Sequence, residues 1–232
     1  MVPSTVSAEL VGAAGFDYVC VDCQHGLIGY DALVPMLQVL GHFPLTPVVR
    51  VPSNDGAWIG KALDAGAGGV IVPMVNSRPE AEAAVVACRY PPDGVRSFGP
   101  VRPVPTEEPL CLVMIETAAA LAVASDICAT PGLDGVYIGP ADLSLSLGLA
   151  PALRHDAPEH VSALTTIRVA CEQGGIAPGI HAASGTQARE RADEGFRFVT
   201  AATDAALLAA GARREAGAAR ATGDPARTGV YT

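Results

Sequence analysis

Lysine is nearly absent from this chain. Lys61 is the only one in 232 residues, against a combined Lys+Arg count of 15, so any mechanism that needs a Schiff-base amine has a single candidate. Positive charge is scarce altogether. The formal net charge is −9 and no Lys/Arg cluster interrupts it, which excludes a nucleic-acid-binding surface. Charged residues make up 17% against 50% hydrophobic, a balance that excludes intrinsic disorder. No apolar run reaches about 18 residues without Gly, Pro or a charge, so no membrane-spanning helix is expected. Met1 to Leu10 lacks a basic segment followed by an apolar core, so no secretory leader is expected and the chain reads as cytoplasmic. The six cysteines do not form a disulfide framework. They lie in apolar segments, and Cys20 and Cys23, although spaced CxxC, would leave a strand on opposite faces and converge poorly on one ion. Buried free thiols are expected.

What is present is alternation. Short β-branched runs at Phe16–Asp22, Pro47–Val51, Gly69–Val75, Leu112–Glu116, Gly135–Ile138, Ala177–His181 and Phe196–Thr200 read as strands. Ala-rich segments between them read as helices: Tyr30–Leu40, Gly56–Ala65, Pro79–Tyr90, Ala118–Thr130, Glu159–Gln173, Thr186–Glu194 and Asp204–Ala219. Ser77 and Asp204 open two of these helices as caps, and Gly15, Gly66 and Gly195 close helices just before a strand. Strict alternation means βαβ units and a parallel sheet. No GxGxxG follows the first strand, which lowers the open, doubly wound alternative, and Gly56–Gly60–Lys61 lacks P-loop spacing. The fold class expected is therefore α/β, a (β/α)8 TIM barrel as a single domain over residues 1–232. Only seven strands are visible. Val6–Ala14 reads as a helix feeding the first of them, so the barrel is expected to lack most of its first strand, with Met1–Pro3 as its remnant.

Barrel sites sit at the C-terminal ends of the strands. Here those ends deliver Asp22 and His25, Arg50, Glu116 and Asp142 to one rim. Two carboxylates there can share a hard divalent cation, an arginine can grip a carboxylate, and a histidine held by an aspartate becomes an oriented base. Each residue also has a structural reading. Asp142 could cap a short helix from Leu143, Glu116 could pair with Arg96, and Arg50 could belong to a structural ion pair. His181 could also face the rim and shape a substrate. His42, His155 and His160 read as solvated, and Arg96 and Arg102 sit in a Pro-rich stretch, Pro91–Pro109, that reads as an active-site loop or a surface link.

The strings FDYVCVDCQHG (Phe16–Gly26), VVRVPSND (Val48–Asp55), GGVIVPMV (Gly68–Val75), RYPPDGVRSFGP (Arg89–Pro100), VMIET (Val113–Thr117) and GLDGVYIGPADLSLSLG (Gly132–Gly148) resemble the HpcH/HpaI aldolase family, in order along nearly the whole chain. The resemblance implies a metal-dependent, class II pyruvate aldolase that cleaves 4-hydroxy-2-oxo acids to pyruvate, or a substituted pyruvate, and an aldehyde. It implies a (β/α)8 barrel in a homo-oligomer, a hexamer with C-terminal helices exchanged between subunits. By position, Glu116 and Asp142 match the ligands of Mg²⁺, Mn²⁺ or Co²⁺. His25 matches the catalytic base with Asp22 as its partner, and Arg50 the arginine near the substrate carboxylate and enolate. Ala141 matches a backbone amide that holds the carboxylate, and Asp64 an acidic residue contributed across a subunit interface.

The residues depart from the family pattern in places. Gln24 stands where many members have glutamate, and Met114 replaces a polar residue found in some members, a change expected to alter contact with the oxo acid. The stretch between Pro100 and Leu110 is shorter than usual. Lys61 falls in a helix pattern, which argues against an enamine route. Two other readings stay open on this evidence: a 2-oxo acid decarboxylase of the oxaloacetate type at the same metal site, or a non-catalytic binding barrel.

Overall fold

A computed structural model of the chain describes residues 1–102 and 107–220. Seven strands form one parallel sheet in strict chain order: β1 (Tyr18–Asp22), β2 (Thr46–Arg50), β3 (Gly69–Val72), β4 (Leu110–Ile115), β5 (Gly135–Ile138), β6 (Ala177–His181) and β7 (Phe198–Thr200). The helices are α1 (Thr5–Gly12), α2 (Tyr30–Leu40), α3 (Gly56–Asp64), α4 (Arg78–Cys88), α5 (Ala118–Ala122), α6 (Ala124–Cys128), α7 (Pro140–Ser146), α8 (Pro158–Gly174), α9 (Gly185–Asp193) and α10 (Asp204–Arg220). Expected element ends move by one or two residues, as fraying termini do, except that β3 stops at Val72, three residues before the expected Val75. The segment Ala118–Thr130 is broken at Val123, whose φ of −119° and ψ of 21° leave the helical region and divide it into α5 and α6.

Local chemistry accounts for the helix ends. The Ser4, Asp55, Ser77, Thr117 and Ser184 side chains each accept a hydrogen bond from an N–H in the first turn of the following helix. At the exits Gly15, Gly66 and Gly195 adopt φ of 86°, 102° and 102°, a left-handed turn that returns the chain to the sheet.

The sheet curls enough for its first and last strands to meet through side chains. Tyr18 on β1 stacks on Phe198 on β7 with ring centroids 3.9 Å apart, and the Tyr18 hydroxyl lies 2.7 Å from Thr200 Oγ1. Between these strands no backbone ladder closes the sheet among the described residues. Met1–Pro3, the expected strand remnant, pairs with no strand. Its backbone is taken elsewhere: the Val2 N–H donates to Asp204 Oδ2 (2.9 Å) and the Met1 carbonyl accepts from the Leu27 N–H (3.3 Å).

Curling separates the buried apolar residues into two layers. Outside the sheet, helices pack on Val19, Val21, Val49, Val70, Val72, Val113, Ile115, Val136 and Ile138. Inside, Val48, Ile71, Leu112, Met114 and Tyr137 form a second cluster with Tyr18, Cys20 and Phe198 against it. Alternate residues of one strand enter the two layers, which is why these strands read as continuous apolar runs rather than as alternating ones. Complete burial of a Val or Ile contributes about 1.5–3 kcal/mol, so the outer layer supplies most of the stability and the inner face keeps room for polar groups at its open end. No helix among the described residues is long and apolar enough to cross a membrane. All six cysteines are free thiols, five of them buried.

Candidate active site

Following the inner face towards the strand ends leads from apolar to polar side chains. On β1 the series is Tyr18, Cys20, Asp22; on β2 it is Val48, Arg50; β4 presents Leu112 and Met114 and is followed by Glu116; β6 ends in His181. Asp22 and Arg50 are neighbours in the β1–β2 register and form a two-pronged ion pair, Arg50 Nε to Oδ1 at 2.8 Å and Nη2 to Oδ2 at 2.6 Å. Burial alone would raise the Asp22 carboxyl, but the guanidinium and the N–H groups of Gln24 and His25 outweigh it and hold the group below the usual carboxylate range. The remaining guanidinium nitrogen, Nη1, has Met114 Sδ as its one hydrogen-bonding neighbour among the described residues, at 4.0 Å. A thioether is a weak acceptor, so this edge of Arg50 keeps its donors for a ligand.

Asp22 does not hold the His25 ring, contrary to expectation. Arg50 takes both of its oxygens, and its Oδ1 accepts from the backbone N–H groups of Gln24 (3.0 Å) and His25 (3.3 Å). The carboxylate therefore shapes the turn that carries His25, leaving the imidazole exposed at the rim. Gly26 completes that turn. A Cβ there would lie 2.0 Å from the Asp22 carbonyl oxygen, so no other residue fits without moving backbone.

Glu116 is buried, with 2% of its surface exposed, and is held from two sides. Its Oε1 accepts the Met74 N–H at 2.8 Å, an amide aimed there by a left-handed Met74 backbone with φ of 57°. Its Oε2 lies 2.5 Å from where a Cβ on Gly139 would stand, so the carboxylate rests directly on the glycine that precedes α7. Arg96 does not pair with it; Arg96 is bound instead to Asp64 and stacked on Tyr90. Burial, and then the Asp142 carboxylate, raise the Glu116 pKa, with the Met74 N–H, Arg50 and His25 opposing. The two carboxylates therefore feel each other's charge.

Asp142 occupies the first turn of α7, whose start is Pro140 rather than Leu143. Its side chain caps nothing, because the N-cap is Gly139, and no hydrogen bond to it is found among the described residues. Ala141 precedes it in the same turn, where amides have no partner within the helix. His160 is completely buried rather than solvated. Its Nε2 lies 3.4 Å from the Pro140 carbonyl, so it braces the start of α7 from α8.

Asp64 lies at the opposite end of the sheet, at the end of α3, where Arg96 Nη2 binds its Oδ1 at 2.6 Å. Within one chain it does not belong to the rim. Arg96, buried, is thus an ion-pair member on that face and not part of an active-site loop. Arg102 likewise contacts the Ala65 carbonyl there. Residues 103–106, within the short stretch before β4, lie outside the described residues. Lys61 is exposed on α3, above the Tyr30 ring on the outer layer, so no lysine amine enters the interior.

A cavity of about 150 Å³ opens between β1 and β7 and reaches Asp22, Arg50, Tyr137, His181 and Thr200. Its inner wall carries a hydrogen-bonded set that the strand-end reading overlooked: Tyr18, Tyr137 and Thr200. They share a face with the rim residues at even spacing, as with Tyr18 and Asp22, and that spacing was the available signal.

The oxygen donors of Glu116 and Asp142 suit a hard divalent cation, which would also relieve the repulsion between them. Among the described residues no group of three or more His, Cys, Asp or Glu side chains is arranged to hold a metal ion, so the remaining positions around such an ion would fall to water or ligand oxygens. Near the C-terminal ends of the strands the chain thus places Glu116 within reach of the Asp142 charge, an Arg50 whose Nη1 meets Met114 Sδ alone among the described residues, and an exposed His25 ring.

Comparison with known proteins agrees. The family model for HpcH/HpaI aldolase/citrate lyase matches residues 3–210. The hydroxypyruvate/pyruvate aldolase of Rhizorhabdus wittichii is 43% identical over 229 residues, covering 94% of this chain and 91% of that protein. A 4-hydroxy-2-oxo-heptane-1,7-dioate aldolase of Salmonella dublin is 38% identical, covering 94% and 86% respectively. The crystal structure of an HpcH/HpaI aldolase/citrate lyase family protein from Burkholderia cenocepacia J2315 superimposes with a TM-score of 0.87 at 30% identity, covering 94% of this chain and 91% of that one. The curled parallel sheet, the paired rim carboxylates and these matches over almost the full length have one explanation: this chain belongs to the HpcH/HpaI aldolase/citrate lyase family.

Proposed function

We propose that the protein is a divalent-metal-dependent aldolase that reversibly cleaves 4-hydroxy-2-oxo acids to pyruvate, or a substituted pyruvate, and an aldehyde. The observation that carries this reading is the buried Glu116 carboxylate resting on Gly139, directly before the turn of α7 that carries Asp142, together with an Arg50 that binds Asp22 through Nε and Nη2 and leaves Nη1 against Met114 Sδ alone among the described residues. The names and identities of the relatives support it.

Glu116 and Asp142 would hold Mg²⁺, Mn²⁺ or Co²⁺, oxygen ligands being acceptable to all three. Such a cation supplies the electron sink that polarises the 2-oxo group. The free edge of Arg50 binds the substrate carboxylate and adds positive charge where negative charge develops on the oxo oxygen. The Ala141 N–H helps hold the carboxylate. Met114, beside Arg50, lines the floor under the oxo acid. His25, exposed at the rim on a turn set by Asp22, moves the proton at the aldol hydroxyl, through water where the distance requires it. With Lys61 outside the sheet, no lysine is placed to form an imine.

The same reading takes residues 1–232 as one domain of the (β/α)8-barrel type, in a cytoplasmic homo-oligomer of the hexameric type. Asp64 would act only from a second subunit. The test is pyruvate release from 4-hydroxy-2-oxoheptanedioate and 2-dehydro-3-deoxyglucarate with Mg²⁺, Mn²⁺ or Co²⁺, and again with EDTA. Metal-dependent pyruvate and aldehyde, lost in Glu116→Gln, are expected. Carbon dioxide without aldehyde would replace the aldolase by a decarboxylase, and a folded protein inert with every metal would overturn the reading.

A further inference from the structure

Met74 is the one non-glycine residue with a positive φ among the described residues, at 57°. A side chain is disfavoured in this left-handed region, so its surroundings must hold it there. Packing does not, because Met74 is exposed at the rim. Hydrogen bonds to its backbone do. The N–H donates to Glu116 Oε1 at 2.8 Å, and the carbonyl accepts from Asn76 Nδ2 at 2.8 Å. On its other side the Asn76 amide presents Oδ1, which accepts from the Thr117 hydroxyl. The polarity is consistent throughout. A carbonyl only accepts, so the amide nitrogen of Asn76 faces Met74, and Thr117 Oγ1 accepts the Ala120 N–H at 3.0 Å and gives its single proton to Asn76.

Thr117 follows Glu116 in the chain, so these bonds close a ring: Glu116 carboxylate, Met74 peptide, Asn76 amide, Thr117 hydroxyl and back to Glu116. The ring joins the segments that leave β3 and β4. Asn76 is fixed in turn by its own N–H, which donates at 2.6 Å to Oε2 of Glu80 in the first turn of α4. With Oε1 of Glu116 taken by Met74, Oε2 is left at Gly139, directly before the turn of α7 that carries Asp142. We propose that Asn76 is a positioning residue for the cation site: by clamping the Met74 carbonyl to Thr117, it maintains the left-handed peptide whose N–H turns the Glu116 carboxylate towards α7. This rests on the reading of Glu116 as a cation ligand. A residue that only stabilised the loop would change the melting temperature without changing the affinity for a cation, and its effect would not depend on the residue at position 74.

The test is a cycle of Mn²⁺ affinities, measured by calorimetry on the whole chain, for the wild type, Asn76→Ala, Met74→Gly and the two substitutions together. Asn76→Ala keeps the backbone N–H to Glu80 and should weaken Mn²⁺ binding by about tenfold, the low end of what losing a group that supports a metal ligand costs. Glycine adopts positive φ without strain, so in the Met74→Gly background the same change should cost less than about threefold. In metal-free, ¹⁵N-methionine-labelled protein the Met74 amide should be protected from hydrogen exchange, and Asn76→Ala should speed that exchange by about tenfold or more. Wild-type Mn²⁺ affinity in Asn76→Ala, an unchanged Met74 amide, or equal losses in both backgrounds would overturn the proposal. A wild type that binds no Mn²⁺, or binds it equally well after Glu116→Gln, would instead overturn the reading beneath it, so the two failures are distinct. Should Asn76→Ala fail to fold, Asn76→Asp takes its place, because it keeps the size and the acceptor for Thr117 and lacks only the donor to Met74. Faster Met74 exchange is then the expected result and unchanged exchange the refuting one.

Discussion

Gly139 separates structural from catalytic tolerance more sharply than any ligand mutation. A methyl group at this position would stand 2.5 Å from Glu116 Oε2, 3.0 Å from Met114 Cε and 3.2 Å from Glu116 Cβ. Ordinary contact begins near 3.4 Å, so the carboxylate oxygen must retreat by about 0.9 Å. It has no free direction, because Oε1 is tied to the Met74 N–H at 2.8 Å and the side chain is buried. Overpacking of this kind costs about 1–3 kcal/mol of stability. Misplacing a functional oxygen by nearly 1 Å costs about 10²-fold in rate. Gly139→Ala should therefore remain folded with a lowered melting temperature, bind Mn²⁺ more weakly in calorimetry and lose about 100-fold in kcat/KM. Gly60→Ala is the control. Its new methyl meets nothing within 4 Å in α3, and alanine should stabilise the helix by about 0.5–1 kcal/mol with activity unchanged. A Gly139→Ala protein with wild-type Mn²⁺ affinity and turnover within about threefold would refute the placement of Glu116 as a ligand resting on this glycine.

Other consequences are more direct. Mn²⁺ at about 100 times its dissociation constant should stabilise the wild type by about 2.7 kcal/mol in thermal or denaturant unfolding, and Glu116→Gln should abolish that increment while keeping an acceptor for the Met74 N–H. His160 is buried neutral, with its pKa lowered first by burial. A histidine depressed in the folded state contributes stability that is present above about pH 6.5 and lost as the pH falls below it. Melting temperatures between pH 7.5 and 5.5 should fall less steeply in His160→Gln than in the wild type, the remaining slope residing in His181, which titrates in the same direction. Lys61→Met should keep its aldolase activity, and borohydride with pyruvate should trap no adduct on Lys61 of the wild type; such an adduct would contradict its place outside the sheet.

Much of the architecture was legible because it depends on local periodicity. Continuous β-branched runs, separated by helices that begin at Ser, Thr or Asp and end at Gly, led to seven strands in chain order and located Asp22, Arg50, Glu116 and His181 at their ends. Asp142 was also found this way, although its capping role was not upheld, since a one-dimensional reading cannot show that α7 begins three residues earlier at Pro140. His160 was misread as solvated because its burial arises from packing against Pro140, which is 20 residues away.

By itself, then, the amino-acid sequence determined the α/β class, the order of the strands, the absence of an interior lysine and which residue types reach the rim. Each of these follows from chain direction and from the two-residue period of a strand. Partner choice was decided only by tertiary structure. Arg50 rather than His25 took the carboxylate of Asp22, Asp64 rather than Glu116 took Arg96, and Tyr137 met His181 and Thr200 across two strand boundaries. A hydrogen bond selects among all groups that the curled sheet brings within about 3 Å, and that curvature is a property of the whole sheet rather than of any segment.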